Sequence, residues 1–189
     1  SAQGNGGGAL SFYQSNSDIS MESSIFSSCK TQGSGGAVYF YNLHSDISVL
    51  SSIFSSCEAQ GSGGAFYISQ MNSNVKIESS TFTTCTADNY GGAVEFSQGN
   101  SNVSVLSSSF TSCSAHSKSG GALRFYQRNT DISVESSNFT DCSTQSSGGA
   151  IQFSEDNSDI SIEASTFTGC SAQSRGGAIE FYEDNRHVV

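Results

Sequence analysis

Short runs of alternating apolar and polar residues recur along this chain. Each Gly-Gly-Ala triplet is followed by an apolar, a variable and a second apolar position, as in Val94, Glu95 and Phe96. A second run alternates in the same way from Asp18 to Glu22, and a third has the form Ser-x-Phe-x-x-Cys. A period of two is typical of β-strands, and the chain has no proline to interrupt a strand. The pattern predicts three short strands, the third with its Phe and Cys facing inward.

These runs belong to a 28-residue repeat. The Gly-Gly-Ala triplets begin at Gly7, Gly35, Gly63, Gly91, Gly120, Gly148 and Gly176. All steps are equal except the one from Gly91 to Gly120, which has an extra residue in segment 116–119. We expect a loop there, because surface loops tolerate insertions. The repeat predicts that residues 1–189 form a single domain of about seven coils, which begin near these glycines.

Three short strands in a repeat of this length indicate an all-β, parallel, right-handed β-helix, which is a β-solenoid. Each strand would pair with its equivalent in the next coil, about 4.8 Å along the axis, so seven coils would form a rod about 30 Å long. A propeller is the competing repeat fold, but its blades need about 40 residues. We expect each glycine pair to mark a corner, where φ is positive or where two backbones approach closely.

In such a stack, equivalent residues lie above one another. We therefore expect a structural core ladder made of Phe26, Phe54, Phe82, Phe110, Phe139 and Phe167 together with Cys29, Cys57, Cys85, Cys113, Cys142 and Cys170. Metal sites usually place two cysteines close together in the chain, whereas successive cysteines here are a full repeat apart. A separation of about 4.8 Å between stacked Cβ atoms is slightly long for an unstrained disulfide. We predict reduced, buried thiols, with some disulfide pairing as the alternative.

The pairing of Gly-Gly-Ala-(Ile/Leu/Val) with a Phe-x-x-x motif resembles the repeats of the polymorphic outer-membrane proteins of chlamydial type and related β-helical surface proteins. Those families combine GGA(I,L,V) with FxxN in a surface-exposed β-helix that acts as an adhesin. The resemblance covers nearly the whole chain, except that Cys stands where the family motif has Asn, as in Phe82-Thr-Thr-Cys85. The resemblance implies a β-helical fold and an adhesive role.

Hydroxyl residues flank the buried Phe of the third strand in several repeats. They are Thr81, Thr83, Ser109, Thr111, Asn138, Thr140, Thr166 and Thr168. Regular Thr-x-Thr ladders on β-solenoids look like the flat faces of antifreeze proteins. The alternative is that Thr and Ser simply suit exposed strand positions. Ice binding is therefore an alternative function, with these residues as the candidate ligand or ice face.

Composition and charge exclude other classes of partner. The net charge is -10 and only seven Lys and Arg are present, so we expect no nucleic-acid partner. The longest apolar stretches are about five residues, as at 37–41, so we expect no membrane span in this chain.

The candidate catalytic residues do not form a recognisable catalytic motif. Asn129-Thr130-Asp131 resembles the acidic motif of pectin-cleaving hydrolases, but other repeats carry Asn-Ser-Asp in the same columns, so the motif is the ordinary turn. His44, His116 and His187 occupy three different repeat positions. We expect no enzyme, no catalytic residues, no cofactor and no metal, and we keep a polysaccharide-active β-helix as a second alternative function.

The leading interpretation is a non-enzymatic structural or adhesive rod, extracellular or on a cell surface, as a segment of a larger repeat protein or a fibre subunit. Its expected partners are further copies of the chain, bound end to end, or a cell-surface protein or glycan. Val188 and Val189 are expected near the register of Ile160 and Ile162, which fits end-to-end stacking. Variable outward positions are expected to form a surface free to diversify; examples are Ser11, Tyr39, Arg124 and Gln152.

Overall fold

The protein is a stack of parallel coils, described by a computed structural model over residues 6–189. Throughout that range the regular structure is β, with no helix. Equivalent strands pair in parallel from coil to coil, so Val94 lies between Phe66 and Leu123 in the register. The predicted fold class, an all-β parallel solenoid with 28-residue coils, is confirmed.

The strands form four parallel sheets that run along the stack. The first sheet contains Leu10–Tyr13, Val38–Tyr41, Phe66–Ser69, Val94–Ser97, Leu123–Tyr126, Ile151–Ser154 and Ile179–Tyr182. The second sheet contains Ile19–Glu22, Ser45–Leu50, Ser73–Glu78, Ser101–Leu106, Thr130–Glu135, Ser158–Glu163 and Arg186–Val188. The third sheet contains Ile25–Ser27, Ile53–Ser55, Thr81–Thr83, Ser109–Thr111, Asn138–Thr140 and Thr166–Thr168. The fourth sheet contains Lys30–Thr31, Glu58–Ala59, Thr86–Ala87, Ser114–Ala115, Ser143–Thr144 and Ser171–Ala172.

The fourth sheet is the one difference from the three strands predicted for each coil. Its strands have two residues each, as in Thr86–Ala87, and only the second of them faces the interior. Two residues are too few to show an alternation, so the sequence pattern reads this segment as loop.

In the inner coils each glycine pair forms a corner, and its two members are required for different reasons. Gly91 has a φ of 58°, in the left-handed region that favours glycine. Gly92 has no such φ, but a Cβ atom there would lie 2.0 Å from the carbonyl oxygen of Gly121 in the next coil. Both predicted explanations of the pair are therefore correct, one for each residue.

A pair of serines forms the corner between the second and third sheets in most coils. Ser79 adopts a φ of 50°. The neighbouring Ser80 is buried; its hydroxyl donates to the Glu78 carbonyl at 2.9 Å and accepts the Ser52 N–H of the preceding coil at 3.1 Å. The side chain therefore satisfies a backbone group that the turn leaves unpaired.

A ladder of asparagines lines the inside of the turn between the first and second sheets. The Asn100 side chain accepts the Asn72 N–H at 3.2 Å, and its own amide donates to Asn129 Oδ1 at 2.9 Å and to the Ser97 carbonyl at 3.1 Å. Asn72, Asn100, Asn129 and Asn157 are completely buried. Because every amide bonds to the next coil, the ladder holds neighbouring coils in one register.

Candidate functional site

The hydroxyl residues predicted as a ligand face lie in two parallel rows on the outer side of the third sheet. One row follows the register from Thr81 through Ser109 and Asn138 to Thr166. The other row is made of the residues two positions later, which are Thr83, Thr111, Thr140 and Thr168. All eight side chains are exposed or half-buried. Toward the N-terminal coils the first row continues into the exposed Ile53 and Ile25, and the second row continues into Ser55 and Ser27.

The predicted core residues stack inside the coils. Phe26, Phe54, Phe82, Phe110, Phe139 and Phe167 form one continuous column with ring centroids 4.8 to 4.9 Å apart. The four middle rings are fully buried, and Phe26 and Phe167 in the outer coils are partly buried. A second column, Phe96, Phe125, Phe153 and Phe181, follows the first sheet.

The six cysteines are free thiols in a column beside the phenylalanines. Cys57, Cys85, Cys113 and Cys142 are fully buried, and Cys29 and Cys170 are partly buried. The Cys113 thiol donates to the Phe82 carbonyl of the preceding coil at 3.6 Å, and the equivalent bond is made by Cys57, Cys85, Cys142 and Cys170. Burial raises the pKa of the Cys113 thiol well above its usual value. The column consists of free thiols packed in the interior as small apolar groups.

Tyr39, Arg124 and Gln152 face away from the interior, as the pattern predicts, but they do not form a free surface. On the outer side of the first sheet these residues are 8%, 6% and 6% exposed. Arg124 Nη1 donates to Glu95 Oε1 at 2.9 Å, and Arg124 Nε donates to Gln152 Oε1 at 3.0 Å. Gln152 Nε2 then donates to Glu180 Oε2 at 2.8 Å. These four side chains form one buried polar network across successive coils.

Tyrosine rings close over the guanidinium group in this network. The Arg124 guanidinium carbon lies 3.6 Å from the ring centroid of Tyr90, which comes from the loop before Gly91, and 4.3 Å from that of Tyr126. Stacking of this kind favours a desolvated arginine. The contacts explain why a charged side chain on an outward strand position is buried.

A groove runs along this outer face on both sides of Arg124, and we call it the Arg124 groove. A first cavity of about 320 Å³ lies over Ser97, between the side chains of Tyr67 and Tyr126. A second cavity of about 260 Å³ lies over Ser154, beside Tyr182. Tyr90, Arg124 and Glu155 line both cavities.

Glu95 carries the least satisfied polar group of this groove. Its side chain is 4% exposed, and its Oε2 atom is enclosed with no hydrogen-bond partner. Burial raises the pKa of the Glu95 carboxyl group, while the nearby Arg124 guanidinium acts in the opposite direction. Glu95 also lines the first cavity.

The sequence contains a signal for this network that the outward-facing interpretation overlooked. Glu95, Arg124 and Gln152 occupy one repeat column in three successive coils. Residues in one column of a parallel solenoid are direct neighbours, so opposite charges one repeat apart predict an ion pair. Sequence alone gives no sign of the Tyr90 contribution, because Tyr90 lies in a loop of variable sequence.

The candidate catalytic motif is divided between interior and surface, because Asn129 is buried and Asp131 is exposed. Asn129 belongs to the buried asparagine ladder. His44 replaces an asparagine there; its Nδ1 accepts the Asn16 N–H at 3.1 Å and its Nε2 donates to the Tyr41 carbonyl at 3.1 Å. Across residues 6–189, no three His, Cys, Asp or Glu side chains are grouped as ligands for a metal ion. Over the same range the structure offers no helix of the length and apolarity that crossing a bilayer requires.

Comparison of the chain with protein-family models, with characterised proteins and with solved structures gave no match.

Proposed function

We propose that this chain is a non-enzymatic structural rod, extracellular or on a cell surface, with an adhesive outer face. The observation that carries the proposal is the continuity of its ladders: Ser80, Asn100 and Phe82 each contact their equivalents in neighbouring coils. Identical contacts from coil to coil allow a solenoid to be extended without a new interface. A segment of a longer repeat protein, or a fibre subunit, uses this property.

The adhesive part of the proposal rests on the outer faces. The net charge of -10 keeps the rod soluble and discourages non-specific attachment to anionic surfaces. The Arg124 groove gives the same rod a concave surface with both donors and acceptors, which suits a specific partner.

The experiment that tests the rod is a tandem chain. Two copies are joined so that the register of the repeat continues across the junction, and a control joins them half a coil out of register. The first is expected to unfold at a higher temperature than one copy and to have a maximum dimension about 30 Å longer in small-angle scattering. Identical unfolding temperatures for both tandem chains and the single copy would contradict a rod built by coil stacking.

Ice binding is a second candidate function, and the in-register rows on the third sheet favour it. Thr83, Thr111, Thr140 and Thr168 repeat about 4.8 Å apart along the axis. Thermal hysteresis that is lost in Thr83→Tyr but kept in Thr130→Tyr, on the second sheet, would replace the rod proposal with ice binding. Under the leading proposal neither the natural protein nor the variants show thermal hysteresis.

A further inference from the structure

We propose that the Arg124 groove binds a neutral oligosaccharide, laid along the axis of the stack. This inference names a ligand for the adhesive face and rests on that part of the proposed function. Four features of the groove support it: an unused acceptor on Glu95, the balance of charged side chains, the shape of the groove, and the order of its two cavities along the stack.

The first feature is the unused oxygen of Glu95. A buried polar atom without a partner is costly, and such atoms are rare in folded proteins. Arg124 takes only Oε1 of this carboxylate. Glu95 lines the first cavity, so a ligand held there lies beside this carboxyl group. A hydroxyl group of that ligand is a donor for the unused oxygen.

The second feature is the balance of charge. Glu95 and Glu155 line the first cavity with Arg124, and the second cavity adds Arg175 and Glu180. An anionic ligand would meet the carboxylates, and a cationic ligand would meet the guanidinium groups. Hydroxyl groups both donate and accept hydrogen bonds, so a neutral ligand rich in hydroxyls satisfies both kinds of side chain.

The third feature is the shape of the groove. Ser97 and Ser154 occupy a column that holds a tyrosine in the coils of Tyr126 and Tyr182. Each small serine leaves space for a cavity, and in the same column Tyr126 stands between Ser97 and Ser154, with Tyr182 beyond Ser154. Tyrosine combines an apolar ring with a hydroxyl, which suits the apolar faces and polar edges of sugar rings.

The fourth feature is the order of the cavities along the stack. Ser97 and Ser154 are two coils apart, and Tyr90, Arg124 and Glu155 line both cavities. The two cavities are therefore neighbours along the axis, and Tyr126 stands between their serine floors. A ligand of linked rings occupies both at once, whereas a single ring fills only one.

The test is isothermal titration of the full chain with neutral hexasaccharides. The probes are β-1,4-glucan, β-1,3-glucan, β-1,4-mannan and chitin hexaoses, each titrated to about 10 mM, which reveals a Kd on the order of 1 mM. We expect at least one hexaose to bind, and its monosaccharide to bind at least about tenfold more weakly because it fills one cavity only.

Variants locate the site. We expect Tyr126→Ser to weaken binding about fivefold through loss of the aromatic wall. We expect Glu95→Gln to weaken it about tenfold through loss of a charge-assisted bond. The matched control is Tyr41→Ser, the same change in the same column but outside both cavities; it is expected to bind like the natural protein.

Thermal unfolding of each sample separates this inference from the rod proposal. A natural chain that unfolds cooperatively but binds no hexaose overturns the oligosaccharide site and leaves the rod standing. Binding that Tyr41→Ser weakens as much as Tyr126→Ser also overturns the site. Binding lost in a well-folded Tyr126→Ser variant, and kept in the control, supports it.

Discussion

At the scale of single residues, the fold depends on polar side chains placed where the backbone turns. Ser80 and Asn100 are buried and bonded to the neighbouring coil. An unpaired amide or hydroxyl inside a protein destabilises it, so each of these residues is held by the one above and the one below. This explains how a chain so rich in serine still folds.

The contribution of the asparagine ladder to stability can be tested by replacing one buried side-chain amide with a carboxyl group. Asn100→Asp replaces an amide that donates to Asn129 Oδ1 and to the Ser97 carbonyl by a carboxyl group that repels both oxygens when ionised. We expect the free energy of unfolding to fall by about 3 kcal/mol at pH 7. The loss should shrink below the usual aspartate pKa of about 3.9, where the group is protonated in both states.

Urea unfolding at pH 7 and at pH 3 measures this difference. The control is Asn102→Asp, two residues away, where the side chain is exposed. An equal effect of the two changes would show that burial in the ladder is unimportant.

Tyr39 makes stability depend on alkaline pH. Burial, followed by the neighbouring Tyr67, Tyr13 and Tyr41, raises the pKa of Tyr39 from 10.0 to about 12. The unfolded chain ionises this phenol first, so its contribution is fully present below pH 10 and is lost as the pH rises toward 12. We expect Tyr39→Phe to lose less stability than the natural protein between these two pH values.

Chemical unfolding at pH 9 and at pH 11 checks the Tyr39 prediction. The quantity to compare is the loss of unfolding free energy between these pH values in the variant and in the natural protein, because other tyrosines titrate in both. Parallel loss of stability in the two proteins would refute it.

At the scale of elements, the phenylalanine column makes each strand depend on its neighbours. Phe82 is fully buried between Phe54 and Phe110, at 4.9 Å and 4.8 Å between ring centroids. The pattern Ser-x-Phe-x-x-Cys identifies this column in the sequence, because a large apolar residue recurs at one position of a period-two strand. The two-residue strands of the fourth sheet have no such signal.

Removal of one ring from the middle of the column should be costly. We expect Phe82→Ala to lower the free energy of unfolding by about 3 to 5 kcal/mol, because the neighbouring strands are hydrogen-bonded in place and cannot close the cavity. The matched variant is Phe181→Ala at the end of the second column, where the ring is 43% exposed, and it should lose less than about 2 kcal/mol. Calorimetric unfolding compares the two, and an unchanged midpoint for Phe82→Ala would contradict a core built on this column.

At the scale of the whole molecule, the repeat alone is enough to predict how the coils stack, whereas the Arg124 groove is recognised only in the three-dimensional structure. The regular spacing of Gly-Gly-Ala places Glu95 beside Arg124, but it does not show that Tyr90 stacks on the Arg124 guanidinium group. A period-two pattern shows which side chains face into a coil and which face out. It does not show which outward-facing side chains are covered by a neighbouring loop. For this reason the pattern predicts that Arg124 faces outward but does not predict that it is buried.

The coils at both ends of the described stack leave strands paired on one side only. Strand Ile179–Tyr182 pairs with Ile151–Ser154 alone, and Leu10–Tyr13 pairs with Val38–Tyr41 alone. Val188 lies in register with Ile160, as the sequence predicts, and is exposed. Such edges are templates for pairing with another chain.

We expect the 189-residue chain to associate as its concentration rises. Because a net charge of -10 opposes association, the effect should be stronger at about 0.5 M salt than at low salt, where screening is weak. Sedimentation velocity at two salt concentrations measures it. A sedimentation coefficient independent of both concentration and salt would exclude edge pairing.

In the coil with the extra residue, a surface loop is longer than in the other coils while the stacking of the strands is unchanged. That residue lies in the loop between Ser114–Ala115 and Gly120, and the strands on both sides keep the register of every other coil. Ser119 of this loop, like Tyr90 of the preceding one, lines the Arg124 groove. The edge of the groove can therefore change in length and sequence while the stack beneath it stays the same, so this molecule is a frame on which new binding specificities can be engineered by exchanging loops alone.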